Sequence, residues 1–206
     1  LDLITGEDFG DHPVKGRGVI YSWIQGRGLE ALAGHGRWLP SCEALTPEEQ
    51  QSRLARVSPL IRTVMDRMEI LRARNDGHVF FAMTAEGQPL EFAENGLPTP
   101  TAVRADACNI SDVFYSKGLF AAASWLGLDD KAEEAKLYFR RVVEDVAGER
   151  LYSDQQAFDP KNRVRPVLGR RSQGPWMLCL GGFALLAEVS GDDIWLVRAE
   201  DFIRRV

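Results

Sequence analysis

The stretch YSWIQGRGLEAL (residues 21–32) decides how the chain is read. Its spacing is helical, yet Gly26 and Gly28 interrupt it, each costing about 1 kcal/mol against Ala in a helix interior. Trp23, Gln25 and Arg27 stand at alternate positions across the same turns. Glycine is cheaper near a helix start, where the N–H groups lack intrahelical partners. Small residues there also let a second helix approach closely.

Working outward, helical spacing runs from about Gly18 to Leu39 and closes at Leu39-Pro40. Thr46-Pro47-Glu48-Glu49 is a start signal with Thr as cap, Pro at the first position and Glu three residues on. It predicts a helix over residues 47–75, apolar at Leu54, Val57, Leu60, Ile61, Val64, Met68 and Leu71, with a kink at Pro59. Residues 78–83 predict a strand, residues 85–88 a tight turn and residues 89–92 a weaker partner strand, making one small hairpin. Ser111 is the expected cap of a helix ending near Leu126, and Asp129 or Asp130 of the next, through Val146. After a loop over residues 148–172, two helices are expected, residues 173–189 and 193 onward, separated by Ser190-Gly191-Asp192-Asp193.

The chain therefore reads as three helical hairpins plus one β-hairpin. Laying residue n over n+63 matches Gly118 to Gly181, Phe120 to Phe183, Ala121 to Ala184 and Asp129-Asp130 to Asp192-Asp193. Gly28 and Ala31 fall over Gly118 and Ala121 at a second offset, so the leading helices carry Gly-x-x-Ala at corresponding places. Equivalent hairpins would start their leading helices at one end. That end gathers Trp23, Gln25 and Arg27, then Asp112, Phe114, Tyr115 and Lys117, then Arg170, Arg171, Gln173, Trp176 and Met177. Rings that lie on the C–H face of a pyranose, with forked polar groups for its hydroxyls, suit a small carbohydrate. The same residue types also fill cores, which applies to Phe114, Trp176 and Met177, and Asp112 with Lys117 is equally a simple ion pair. Arg27 is set apart, because the macrodipole disfavours a cation near a helix start.

Composition narrows the classes. The 206 residues carry a net charge of −5, against a broad nucleic-acid surface. No apolar run is long enough to span a membrane, and the first residues do not read as a signal peptide. Cys42, Cys108 and Cys179 are isolated, fitting buried thiols in the cytoplasm and neither a disulfide framework nor zinc. His12, His35 and His78 lack metal spacing, and there is no GxSxG, P-loop or GxGxxG. No metal and no cofactor are expected. The first residue is Leu, and the last stretch, FIRRV, stops within an expected helix, as in a piece of a longer protein.

WIQGR (residues 23–27) resembles the W-x-Q-G-R signature of the N-acylglucosamine 2-epimerase family. GHVFFAMTAEGQP (residues 77–89) is similar to that family's β-hairpin, and SDVFYSKGLFA (residues 111–121) to its following S-E-x-F-Y helix, with Asp112 replacing the glutamate. The resemblance implies an all-α fold, a partial (α/α)6 toroid with one small β-hairpin insertion, with this single domain as the N-terminal half. It implies epimerisation or isomerisation at C2 of an N-acylhexosamine or related aldose through an enediolate, with catalytic histidines outside this segment. Arg27 would hold the sugar oxygen and stabilise enediolate charge. Trp23, Gln25, Asp112, Tyr115, Lys117, Arg171, Trp176 and Met177 are the expected substrate contacts, and a homodimer is compatible with them. One departure stands out: the family's M-H-x-x-E reads Met177-Leu178-Cys179-Leu180-Gly181 here. Two other readings stay open. One is an (α/α)6 glycoside hydrolase or lyase, using Asp112 with Asp106 or Glu94 as acid and base. The other is a non-catalytic sugar- or protein-binding toroid.

Overall fold

Thr46 and Glu49 cap each other as the sequence predicts. The Thr46 hydroxyl accepts the Glu49 N–H at 3.3 Å, and Glu49 Oε2 accepts the Thr46 N–H at 2.9 Å. This start belongs to helix α2, Pro47–Arg74, in a computed structural model that describes residues 5–102, 106–155 and 173–205. Helix α1, Ser22–Trp38, precedes it and runs into a 3-10 turn, Leu39–Ser41. The remaining helices described are α3 (Ile110–Trp125), α4 (Asp129–Ala147), α5 (Gly174–Ser190) and α6 (Ile194–Ile203). The chain is thus mostly helical. Among the described residues no helix is long and apolar enough to cross a membrane.

Several boundaries differ from expectation for local reasons. Helix α1 begins at Ser22 because Val19–Ile20 is drawn into a strand, β1, antiparallel to β2, Met83–Thr84. Helix α3 is capped by Asn109 instead of Ser111. Asn109 has extended backbone and accepts the Asp112 N–H at 3.0 Å, while Asp112 accepts the Asn109 N–H at 2.9 Å. Neither Asp129 nor Asp130 caps α4; both lie in its first turn, where their charge suits the macrodipole. Helix α2 is continuous through Pro59. Gly191, at φ +67°, stops α5, and Asp192 accepts the Ile194 N–H at 3.1 Å to begin α6.

The expected β-hairpin survives only in its turn and a bridge between Met83 and Pro89. Leu90–Phe92 (β3) pairs instead with Pro98–Pro100 (β4), and residues 78–82 are not a strand. The reason lies at Val79. Its N–H goes to Asp112 at 3.0 Å and its carbonyl to the Asn109 amide at 2.9 Å, so side chains of the α3 cap take the place of a ladder.

Helix α3 is the axis of the packing, buried from Ile110 to Ala123. It is apolar on nearly every side, as a surrounded helix must be. Helices α1, α4 and α5 all pack on it, while α2 lies against α1 and α6 against α5. Helices α1 and α3 run parallel. Near their starts a Cβ on Gly26 would lie 2.6 Å from the Phe114 carbonyl group, and near their ends one on Gly36 would lie 2.3 Å from the Trp125 indole. Aromatic contacts close the other side: Phe139 meets Phe183 at 5.7 Å, and Phe183 meets Phe202 at 4.9 Å. The three cysteines are unpaired and buried.

The close helix approach expected of the small residues is made by Gly26 with Gly118, and not by Gly28, the residue that the repeat lays over Gly118. A Cβ on Gly118 would sit 2.1 Å from the Gly26 carbonyl oxygen, whereas one on Gly28 would meet nothing within 4 Å. Two substitutions separate these roles. Gly118→Ala is expected to lower unfolding free energy by about 1–3 kcal/mol through overpacking. Gly28→Ala should raise it by up to about 1 kcal/mol through helix propensity. Urea denaturation of the two variants beside the parent checks both signs.

Candidate functional site

Trp23, Arg27 and Glu30 stand at i, i+4 and i+7 of α1 and therefore share one face. Phe114 and Lys117, at i and i+3 of α3, run alongside. Trp23 stacks on Phe81 at 6.3 Å and 9°, and leans on Phe114 at 6.2 Å. Two turns further along the seam, Lys117 Nζ lies 3.3 Å from Glu30 Oε2. The Lys117 side chain is only 9% exposed, while that of Glu30 is 33% exposed. Helix α5 completes the corner: a Cβ on Gly181 would come within 3.3 Å of Lys117 Nζ, and the buried Cys179 thiol is close enough to feel its charge. Burial pushes that thiol up to about 12, so it stays protonated.

Arg27 lies exposed between Trp23 and Glu30 and makes no ion pair among the described residues. Gln25 is half-buried nearby in sequence. The Trp23 indole N–H and the Ser22 hydroxyl are sealed from solvent without a hydrogen-bond partner among the described residues. Of the expected contacts, then, Trp23, Arg27 and Lys117 come together on one seam. Glu30 and Phe81 join them, although neither was among the expected residues. Glu30 had a signal in the sequence, the helical step from Trp23 and Arg27.

Asp112 and Tyr115 have a different job from the substrate contact expected of them. Asp112 is fully buried. One carboxylate oxygen accepts the Val79 N–H at 3.0 Å and the Tyr138 hydroxyl; the other accepts the Asn109 N–H at 2.9 Å and faces His78 Nδ1 at 2.8 Å. Four donors occupy both oxygens and leave no direction for a sugar. Tyr115 is likewise buried, and its hydroxyl donates to Glu69 at 3.0 Å. Glu69 is held in turn by Arg72 at 2.8 Å and Lys131 at 3.0 Å, tying α2 to α4. Those cations hold the Glu69 carboxyl below the usual range against the opposing effect of burial. Trp176 packs on Phe202 at 4.6 Å, within its own hairpin, and Met177 is exposed. Arg170 and Arg171 lie outside the described residues.

His78, Cys108 and Asp112 bring ligand atoms within 4.8 Å of one another. They fit a metal poorly. The Asp112 oxygens are already taken, and burial raises the Cys108 thiol far above neutrality, whereas a metal needs the thiolate. Beside this cluster, Asp154 accepts the Ser111 N–H at 3.3 Å through Oδ1. Its Oδ2 and the neighbouring Ser111 hydroxyl are sealed from solvent beside each other, without a well-formed hydrogen bond among the described residues. Burial, with the Asp112 charge nearby, pushes the Asp154 carboxyl up to about 6. No family model matches the chain, and no curated protein matches it.

Two stability predictions follow from these carboxylates. Asp112→Asn replaces an acceptor with a donor amid four donors, and is expected to cost about 3 kcal/mol or more in a urea titration. Asp154 behaves oppositely. Its folded-state value lies above the ordinary 3.8, so the folded protein holds this proton more tightly than the unfolded chain. Stability from this group is full below about pH 4 and is lost as pH rises through about 6. Asp154→Asn should therefore stabilise the protein by about 2 kcal/mol at pH 7.5, with the gain vanishing near pH 4. Paired denaturation curves across that range test it.

Proposed function

We propose that this chain is the N-terminal half of an (α/α)6 toroid and that the α1–α3 seam belongs to a site for a small carbohydrate. The reaction is epimerisation or isomerisation at C2 of an N-acylhexosamine or related aldose through an enediolate. The observation that carries the reading is Arg27: an exposed cation without a counter-ion among the described residues, on the face that also presents Trp23 and the Lys117–Glu30 pair. Removing the proton beside a carbonyl places negative charge on the carbonyl oxygen. A guanidinium next to that oxygen lowers the barrier, an effect typically worth a few kcal/mol. The Trp23 ring supplies an apolar face for the sugar, and the bases that move the C2 proton come from outside this segment. The alternation of leading helices α1, α3 and α5 with trailing helices α2, α4 and α6 supports the toroid. Three buried, unpaired thiols suit a reducing compartment such as the cytoplasm.

The hydrolase reading loses its lead carboxylate, because the Asp112 oxygens are both engaged and the residue is fully buried. A non-catalytic sugar-binding toroid differs from the isomerase in its turnover. In deuterated buffer the intact protein should exchange the C2 proton of N-acetylglucosamine or N-acetylmannosamine, followed by proton NMR. Arg27→Ala should slow that exchange about 10²-fold or more. Exchange that persists at the parent rate removes Arg27 from the reaction, and calorimetric binding without exchange leaves a binding module.

A further inference from the structure

Lys117 and Glu30 form an acid and a base side by side, and this arrangement has a chemistry of its own. The Lys117 side chain is nearly buried along α3, and its ammonium lies where α1, α3 and α5 meet. Glu30 is its counter-ion at 3.3 Å, yet the ammonium makes no hydrogen bond among the described residues. An ammonium carries three donors, so this one has capacity left for a ligand. A nearly buried ion pair adds little net stability in itself. Gly181 gives the ammonium its room: an added Cβ there would press on Nζ at 3.3 Å. The carboxylate partner is one third exposed and lies one helical turn beyond Arg27, on the face that carries Trp23.

We propose that Lys117 and Glu30 open the ring of an aldopyranose, so that the seam has aldose 1-epimerase (anomerase) activity. The proposal rests on the carbohydrate reading above and concerns an earlier step than chemistry at C2. In a cyclic hemiacetal the ring oxygen and the anomeric hydroxyl share one carbon, so an adjacent acid and base can serve both together. The Lys117 ammonium gives a proton to the ring oxygen as the bond from that oxygen to C1 breaks. The Glu30 carboxylate takes the proton of the anomeric hydroxyl as the C1–O1 bond becomes a carbonyl. The products are the open-chain aldehyde, a neutral amine and a neutral carboxylic acid. A proton passing from Glu30 to Lys117 restores the pair, with nothing oxidised, reduced or consumed. Closure onto the other face of the aldehyde gives the opposite anomer.

Polarimetry tests the step. Freshly dissolved N-acetyl-α-D-glucosamine is followed to anomeric equilibrium with the intact protein, Glu30→Gln and Lys117→Arg. The parent should speed equilibration above the buffer rate. Each variant should lose about 10²-fold or more of that increment, the usual weight of general acid–base catalysis. Arginine keeps the charge and the ion pair but does not give up its proton at neutral pH, so a merely structural pair would survive Lys117→Arg. Glu30→Gln, at a partly exposed position, decides the matter if the lysine variant fails to fold. A parent that does not exceed buffer, or a folded variant that retains the full increment, overturns the proposal. C2 deuterium exchange on the same samples separates the two readings. Anomerisation without exchange counts against the isomerase alone; exchange with unimpaired anomerisation in both variants counts against the ring-opening pair alone.

Discussion

The Asp112 carboxylate is the constraint from which the rest of the structure takes its position. A buried carboxylate without partners would cost many kcal/mol, or would simply be protonated. Here it is stable because donors from three separate parts of the chain converge on it: the 78–79 backbone and imidazole, the α3 cap, and Tyr138 of α4. That convergence fixes where α3 begins and how it is turned. Since α1, α4 and α5 all lie against α3, their placement inherits that of its first turn. An N-cap side chain ordinarily satisfies one or two orphan N–H groups. Here the capping pair Asn109 and Asp112 also takes the N–H and the carbonyl of Val79, which would otherwise need a strand partner.

Much of the helical framework was legible because its signals are local. Thr46-Pro47-Glu49 set the start of α2 to the residue, and Gly191 its counterpart stop for α5. The expectation of Ser111 as the cap of α3 misplaces it by leaving out the reciprocal partner three residues on. Asn109 and Ser111 are both good caps, and only Asp112, three residues after Asn109, completes the reciprocal pair. Strand assignment over residues 78–82 failed for a non-local reason, since the groups that satisfy Val79 are side chains some thirty residues away. Gly26 and Gly28 look alike in sequence, but two residues on a helix are just over a half-turn apart. One therefore meets α3, while the other faces open space.

The site was legible in the same uneven way. The shared face of Trp23 and Arg27 is a matter of helical spacing. The fate of Asp112 and Tyr115 is not, because burial around α3 and the Glu69 partner on α2 decide it. The departure at Met177–Gly181 reads in sequence only as lost side chains. In the folded protein the glycine has a neighbour: it stands against the Lys117 ammonium, whose carboxylate partner comes from α1.

The glycine crossing and the polar seam are two sides of one design. Gly26 and Gly118 bring the backbones of α1 and α3 together with no side chain between them at the crossing. Trp23 and Glu30 flank Gly26 along α1, and Phe114 and Lys117 precede Gly118 on α3. A side chain at either glycine would wedge the helices apart, and the residues beside it would lose their partners before those at the helix ends. The 3.3 Å separation of Lys117 and Glu30 thus depends on two residues that carry no functional group. The conformational cost of glycine in a helix is offset by the contact it permits, and that contact holds α1 and α3 at the separation across which Lys117 meets Glu30.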